Sequence, residues 1–256
     1  MSNPVFVTPA GTLDQQVPGA TFVLEGAEAR HAVTVKRLAV GEAVDIADGA
    51  GKRITGTVTA AAPQQLTVEC IEVSAEPRPD VRLVLVQALA KGDRDELAAE
   101  TATELGIDAV VPWQAERSIV RWKPERAAKA HAKWQSVVAA AAKQARRAWI
   151  PEVRPAVDGN GLQAAVAAAG LAVILHEDAV RPLRQVLEAW HREAADGGVP
   201  REVLLIVGPE GGISPREVTR LCDAGAVTAL LGHHVLRSST AGPAATVLAS
   251  DILGRW

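Results

Sequence analysis

Residues 204–218 combine a glycine turn with a defined helix start, a pattern that could bind a small ligand. The stretch LLIVGPEGGISPREV passes from an apolar strand into GPEGG at 208–212. Ser214 and Glu217 then form the S-x-x-E pattern of a helix capping box, with Pro215 at the first helical position. Ligands bind beyond the carboxyl ends of strands in an open parallel sheet, which is where this turn is expected. A tight strand-to-helix turn without a ligand is the alternative.

The turn lacks the residues that phosphate-binding loops require. The GxxxxGK[ST] pattern of a P-loop and the GxGxxG pattern of a dinucleotide fold are both absent from the chain. Backbone donors and one acid, Glu210, remain, and they suit a neutral or cationic nucleoside. S-adenosylmethionine carries a sulfonium and no phosphate, so the sequence favours it as the cofactor.

Strands alternating with helices must position this turn. Nearly all-apolar segments predict strands at 81–89, 108–113, 171–177, 203–208 and 226–232. Strands that are apolar on both faces are typical of a covered, mainly parallel sheet, which predicts an α/β domain. A helix beginning at Pro124 is predicted from apolar residues at helical spacing, namely Ala127, Ala130, Trp134, Val137, Val138 and Ala141.

The first part of the chain has a different pattern. Alternating apolar and polar residues up to about Ser74 predict a small β-barrel, with a short helix in 27–42 and a hairpin turn at DGAG, 48–51. Two prolines among charges in SAEPRPD predict a linker. The expected domains are therefore 1–75 and 81–256, joined by a linker at 76–80.

Positive charge is concentrated in one segment although the formal net charge is -3. Residues 117–147 contain nine basic residues and one acid, Glu125. A solvated helix face and a surface for a polyanion such as RNA are the two interpretations. A membrane surface is less favoured, because alanine dominates the apolar side of the helix. The apolar runs are short and interrupted by Gly, Pro or charge, and the first residues lack the pattern of an export signal, so we expect a cytoplasmic protein without membrane contact.

Several segments resemble, in order, the signatures of the ribosomal small-subunit (16S) RNA uridine N3-methyltransferases, a family in the SPOUT class of S-adenosylmethionine-dependent enzymes. They are LAKGDRDELAAETATELGIDAVVPWQAERSIV (89–120), KQARRAWIPEV (143–153), LLIVGPEGGISPREV (204–218) and LGHHVLRSSTA (231–241). HAVTVKRLAVGEAVDIADGAG (31–51) is similar to the family's N-terminal RNA-binding barrel of the PUA type. The resemblance covers nearly the whole chain.

This resemblance implies a fold, a reaction and a partner. It implies a parallel sheet with a trefoil knot in the C-terminal domain, a homodimer, and methylation of N3 of a uridine in 16S ribosomal RNA or the small ribosomal subunit. It also places cofactor contacts in three loops: Leu175, His176 and Glu177; Gly208, Glu210, Gly211 and Gly212; and Leu231, Gly232, Leu236, Ser238, Thr240 and Ala241.

The chain departs from the family pattern at two places. Ser239 stands where L-R-T-E-T-A has a carboxylate, so any role of that acid is not carried over. QARR stands where Q-x-G-R is common, which leaves Gln144 and Arg147 aligned.

Methylation at N3 requires loss of the imide proton and stabilisation of the resulting charge on O2 and O4. Arg147 and Arg237 are the catalytic candidates, because guanidinium remains cationic and offers several donors. His176, His233, His234 or solvent could accept the proton, and a structural role is the alternative for each histidine. No metal-ligand spacing is present, and the reaction requires no metal.

The target base must be unpaired or turned out to expose N3. Trp113, Trp122 and Trp134 are candidates for stacking on it, with Trp122 first because Arg121 and Lys123 flank it. The predicted RNA contacts are Lys36, Arg37, Lys91, Arg117, Arg121, Trp122 and Arg126. Two rival functions remain: a related enzyme that methylates a ribose 2'-hydroxyl, and a non-catalytic RNA-binding assembly protein.

Overall fold

The computed structural model describes residues 3–194 and 201–256, which group into two compact units. The first unit comprises residues 1–78 and 142–150, and the second comprises 79–141 and 151–256. The sequence placed the first boundary at a linker, 76–80, and assigned everything after it to the second domain. That division differs from the structure at 142–150, which packs with the first unit.

The first unit is built on a five-stranded sheet in the order β1-β3-β4-β5-β2. Its strands are β1 (Val5–Val7), β2 (Thr21–Glu25), β3 (Ala43–Ala47), β4 (Lys52–Ala62) and β5 (Gln65–Ala75). β1 pairs in parallel with β3, and the other pairings are antiparallel. A short helix, α1 (Gly26–Arg30), continues into a π-helical turn at His31–Val35. Alternate strand residues, among them Ile46, Ile54 and Val68, form its buried core.

Residues 142–150 complete the hairpin turn between β3 and β4. Asp48 organises the turn by accepting hydrogen bonds from the backbone N–H of Ala50 (2.8 Å) and Lys52 (3.0 Å). Gly51 donates its N–H to the carbonyl of Ala148 (3.1 Å), and Ile150 donates to the carbonyl of Gly49 (3.0 Å). The predicted DGAG hairpin is confirmed. Its backbone also forms hydrogen bonds with the segment 142–150, which is distant in the sequence.

The second unit contains a six-stranded parallel sheet in the order β11-β9-β10-β6-β7-β8. The strands are β6 (Arg82–Ala88), β7 (Ala109–Trp113), β8 (Glu152–Val153), β9 (Leu171–Leu175), β10 (Glu202–Val207) and β11 (Val227–Ala229). The five strands predicted from apolar runs are confirmed as β6, β7, β9, β10 and β11. The mixed α/β fold class with a separate N-terminal sheet is therefore confirmed.

Helices cover both faces of this sheet, as its apolar strands require. They are α2 (Arg94–Glu104), α3 (Pro124–Gln144), α4 (Gly159–Ala168), α5 (Leu183–Ala194), α6 (Pro215–Asp223) and α7 (Ser238–Ile252). α2 and α7 pack on each other and on β6, while α4 packs on α6. Gly242 permits the close approach of α7, because a Cβ there would lie 2.8 Å from Cδ1 of Leu85.

Candidate active site

A cavity of about 530 Å³ lies at the carboxyl ends of β9 and β10 and beside the segment that follows β11. Three segments supply most of its wall: 175–177, 207–213 and 230–238. The parallel register brings these segments together because β10 and β11 both pair with β9. The lining residues are Arg94, Leu175, His176, Glu177, Val207, Gly208, Pro209, Glu210, Gly212, Ile213, Leu230, Leu231, Gly232, His234, Val235, Leu236, Arg237, Ser238 and Ala241.

The cavity contains most of the predicted cofactor residues. Leu175, His176 and Glu177 line it, as do Gly208, Glu210 and Gly212 from the glycine turn. The third predicted loop contributes Leu231, Gly232, Leu236, Ser238 and Ala241. Gly211 and Thr240 are not among the lining residues. The three loops thus meet in one cavity, while the contacts of each residue with a cofactor remain predictions.

The glycine turn has the compact geometry that its sequence indicates. Gly208 packs against Ile213, whose Cγ1 would lie 2.6 Å from a Cβ at position 208. Gly212 has a φ of +71°, in the left-handed region that favours glycine, and donates its N–H to the carbonyl of Pro209 (2.9 Å). Both glycines are therefore required by the turn itself.

The predicted capping box is confirmed at the start of α6. The Oγ of Ser214 accepts a hydrogen bond from the N–H of Glu217 (3.1 Å), and the Glu217 carboxylate accepts one from the N–H of Ser214 (3.3 Å). Pro215 occupies the first helical turn. The end of the glycine turn is thereby fixed.

Ser238 presents an unused donor at the cavity wall. It is the first residue of α7, is 9% exposed, and its Oγ has no hydrogen-bond partner among the described residues. The N–H groups of Thr240 and Ala241 already donate to the carbonyl of Arg237, so the N–H groups of Ser238 and Ser239 are the ones that the helix start leaves without intrahelical partners. A polar ligand group would satisfy them.

Glu210 joins the glycine turn to the start of α2. Its Oε1 accepts hydrogen bonds from the backbone N–H of Lys91 (3.1 Å) and from Nη1 of Arg94 (3.4 Å). Arg94 also lines the cavity, and sequence reasoning missed it. Its position within KGDRDE, a segment that carried the family resemblance, was the available signal.

Two of the candidate bases lie at the cavity. His176 and His234 line it, and His233 is exposed but is not among the lining residues. Nδ1 of His176 accepts a hydrogen bond from the N–H of Asp178 (3.2 Å), which leaves Nε2 for another partner. Neither histidine is thereby identified as the base.

The two arginines predicted to be catalytic lie in different units. Arg237 is exposed, precedes α7 and lines the cavity. Arg147 belongs to the segment 142–150 of the first unit. The role of each remains a prediction.

The predicted RNA-binding residues of the second unit are mostly exposed. Arg117, Arg121 and Arg126 are exposed, and Trp122 is half-buried with its ring edge-on to Trp134, at a centroid distance of 5.8 Å. Lys91 is exposed beside Glu210. In the first unit, Lys36 and Arg37 are exposed, and Arg37 has a φ of +57°.

Two of the tryptophans proposed for base stacking are wrong candidates. Trp113 is 0% exposed and Trp134 is 2% exposed, because both pack into the core of the second unit. Of the three, Trp122 alone is not fully buried, and it also anchors the start of α3 through its contact with Trp134.

Two lysines of the basic segment form ion pairs within the protein. Lys133 forms ion pairs with Glu96 (2.8 Å) and Asp93 (3.3 Å), and the hydrogen bond to Glu96 is the main cause that raises its pKa. Lys143 pairs with Glu28 (2.6 Å) inside the first unit. These two lysines hold protein segments together, so the candidates for phosphate contact are the residues nearer the start of α3.

The cavity wall fits S-adenosylmethionine chemically. It contains no lysine, and its two guanidinium groups, Arg94 and Arg237, are balanced by Glu177 and Glu210. A ligand with a sulfonium, an ammonium and a carboxylate can pair with both signs. The unpartnered Oγ of Ser238 and the open space beside Gly232 leave room and donors for such a ligand.

Within residues 3–194 and 201–256, none of the helices has the length and hydrophobicity of a membrane span. No group of three or more histidine, cysteine, aspartate or glutamate side chains there could hold a metal ion.

Known proteins resemble this chain over most of its length. Ribosomal RNA small subunit methyltransferase E of Mycobacterium bovis is 38% identical over 242 residues, covering 93% of this chain and 89% of that protein. The protein of the same name from Bacillus subtilis is 28% identical and covers 89% of each chain. The crystal structure of the Neisseria gonorrhoeae protein of that name, bound to S-adenosyl methionine, has a TM-score of 0.79 at 26% identity, covering 98% of both chains. A methyltransferase structure from Legionella pneumophila in complex with this cofactor has a TM-score of 0.80 at 28% identity, also over 98% of both chains.

Family models divide the chain in the same order as the two sheets. The model of an RNA methyltransferase PUA domain matches residues 24–70, and that of an RNA methyltransferase domain matches 76–250. The family resemblance found in the sequence is confirmed by these matches. The chain belongs to the RNA methyltransferase family.

Proposed function

We propose that the protein transfers the methyl group of S-adenosylmethionine to N3 of a uridine in 16S ribosomal RNA. The observation that carries the proposal is the cavity at the strand ends, where three loops combine backbone donors, two acids and no lysine. Family membership and the names of the relatives support the RNA substrate. The chemistry of uracil supports N3 as the methylated atom, because the deprotonated imide is a nucleophile that cationic donors can stabilise.

The bound cofactor would supply an electrophilic methyl carbon and a neutral thioether as the leaving group. Arg237 would donate hydrogen bonds to the uracil oxygens as negative charge develops on them. Glu210 would hold Arg94 and the backbone at Lys91 against the turn, through the contacts described above. His176, His234 or solvent would accept the N3 proton. Arg147 is the second candidate for stabilising the anion.

RNA would be bound mainly through its phosphates. The proposed contacts are Lys36 and Arg37 from the first unit and Lys91, Arg117, Arg121 and Arg126 from the second. The exposed part of Trp122 would stack on a base. We include in the same proposal a homodimer, the trefoil knot that the resemblance implies, no metal and a cytoplasmic location.

Nucleoside mass spectrometry tests this function. Small subunits from a strain that lacks the gene are incubated with the purified protein and S-adenosylmethionine, and the RNA is digested. We expect 3-methyluridine to appear with the wild-type protein and to be strongly reduced with Arg237→Ala. A 2'-O-methylated nucleoside in its place would favour the rival enzyme. A non-catalytic assembly protein would yield no new methylated nucleoside, and calorimetry would then detect no heat with S-adenosylmethionine.

A further inference from the structure

Two loops of the second unit are joined by a reciprocal pair of hydrogen bonds. Oε1 of Glu217 accepts a hydrogen bond from the backbone N–H of Glu116 (2.8 Å). In return, Oε2 of Glu116 accepts one from the hydroxyl of Ser214 (2.7 Å). Ser214 and Glu217 are also the two members of the capping box, so each makes a second bond that a helix cap does not need.

The two capping residues in this connection are buried, and a charged pair lies outside them. Ser214 is 7% exposed and Glu217 is 3% exposed. Outside them, Oε1 of Glu116 accepts a hydrogen bond from Nε of Arg216 (2.9 Å). The hydrogen bond from Ser214, followed by that from Arg216, lowers the pKa of Glu116. Glu116 is therefore a charged acceptor at neutral pH, which strengthens its bond to Ser214.

A second tie connects the same loops beside the cavity. Nη1 of Arg117 donates to the carbonyl of Gly211 (3.1 Å). A Cβ at Gly211 would lie 3.4 Å from Cβ of Arg117, so the two backbones are already near contact. The stretch at 116–117 thus contacts the glycine turn at Gly211 and the start of α6 that follows it.

The loop that carries Glu116 also carries proposed RNA contacts. Nη2 of Arg121 donates to the carbonyl of Glu116 (3.2 Å). The N–H of Trp122 donates to Oε1 of Gln114 (2.9 Å). Arg121, a proposed RNA contact, is therefore bonded directly to Glu116, and Trp122 is bonded to Gln114 in the same loop.

We infer that Glu116 is a positioning residue that couples RNA binding to cofactor binding. This inference rests on the proposed function. A ligand that orders either loop reduces the cost of ordering the other, because Glu116 belongs to both networks. Linkage then requires the effect to be reciprocal: RNA raises cofactor affinity by the factor by which cofactor raises RNA affinity. Glu116 would touch neither substrate and would act through Ser214 and Glu217.

Calorimetry with the unreactive product S-adenosylhomocysteine tests the coupling, in the absence and presence of small subunits from the deletion strain. We expect RNA to raise the affinity of the wild-type protein for S-adenosylhomocysteine roughly fivefold or more. A roughly fivefold change is at the low end of typical allosteric coupling. Glu116→Ala should bring the factor close to one. Glu116→Gln should restore part of it, because its amide oxygen can still accept from Ser214. Arg216→Ala removes only the outer partner and serves as the matched control, which should retain the coupling.

Steady-state kinetics distinguish coupling from general damage. For Glu116→Ala, the KM for each substrate at low concentration of the other should rise, while kcat at saturation of both stays within about twofold. Equal coupling in the wild type and in Glu116→Ala, or none in an active wild type, would overturn the inference and leave the proposed function intact. Absence of methylation by the wild type would remove the proposed function instead. A loss of kcat in Glu116→Ala that Glu116→Gln does not rescue would assign the residue a purely structural role.

Discussion

The indole of Trp149 occupies the space that a side chain at Gly51 would fill. A Cβ at Gly51 would lie 2.5 Å from Cε2 and Cζ2 of that ring, and the φ of Gly51 is +99°. Gly51→Ala is therefore expected to lower the free energy of unfolding by about 3 kcal/mol, from overpacking and from the left-handed backbone. Urea denaturation would measure it. Gly41→Ala is the matched control, since Gly41 has a φ of +90° but no atom within 4 Å of the built Cβ, and should cost about 1 kcal/mol. Equal losses would show that packing against Trp149 contributes nothing.

Arg146 has a φ of +56°, which is costly for a residue with a Cβ. It stands at the glycine position of the Q-x-G-R pattern that the family resemblance implies for QARR. Arg146→Gly should raise the free energy of unfolding by about 0.5 kcal/mol, after the added freedom of the unfolded chain is subtracted. Its carbonyl would still accept the hydrogen bond from Arg53 (2.7 Å). Ala145→Gly, one residue earlier, should destabilise by about 0.5 to 1 kcal/mol. The idea fails if both substitutions destabilise alike in thermal or urea unfolding.

Gly232 lines the cavity with no atom within 4 Å of a built Cβ and no positive φ. Gly232→Ala should therefore leave the thermal midpoint unchanged while the added methyl group reduces the space for a ligand. We expect S-adenosylmethionine affinity, measured by calorimetry, to fall about tenfold, which corresponds to about 1.4 kcal/mol. Gly159→Ala, at the start of α4 and outside the cavity wall, is the control and should bind normally. Unchanged affinity in Gly232→Ala would place the cofactor away from this residue.

Arg121 and Arg126 are exposed near the start of α3. Arg121→Glu combined with Arg126→Glu should weaken RNA binding and reduce the slope of log affinity against log salt by about 1.5, as expected for loss of two phosphate contacts. Filter binding across a salt series measures this slope, and calorimetry should show unchanged cofactor affinity. Arg184→Glu with Arg192→Glu on α5 makes the same charge change on another helix. A slope that falls equally in both double variants would indicate a general charge effect.

The lowered pKa of Glu116 predicts a specific dependence of stability on pH. A carboxyl whose folded pKa is depressed stabilises the protein above its ordinary pKa of 4.5, and that stabilisation is lost as pH falls through the lowered folded value. Thermal midpoints should therefore be higher for the wild type than for Glu116→Gln at neutral pH and should converge as pH falls below the lowered folded pKa. Glu100→Gln, an exposed position on α2, is the control. A difference between wild type and Glu116→Gln that persists unchanged in acid would contradict the assignment of charge to this carboxylate.

Much of the fold follows from local pattern. The strands of the second unit are nearly all apolar, and the hairpin turn and the capping box have residue types that only a few geometries accept. β1 and β8, with three and two residues, are too short to produce a periodic signal. Their pairing depends on neighbouring strands and not on their own sequence.

Contacts between distant residues account for most of what the sequence did not reveal. Ser214 and Glu116 are 98 positions apart, and Lys91 and Glu210 are 119 apart. Residues 142–150 belong to the first unit because they bind a turn near residue 50. The helical periodicity of α3 therefore could not predict where this segment packs. Arg94 lies in a charged segment that is typical of a solvated helix start. Its position at the cavity depends on the fold and is not indicated by the local sequence.

Ile150 and Ala148 complete the hairpin of the first unit, so that unit is not continuous in the chain. A ribosome that makes this protein releases β1 to β5 well before the residues that finish their turn. The hairpin of the amino-terminal sheet can be completed only after residues 79–141 of the second unit, which include β6 and β7, have also been synthesised.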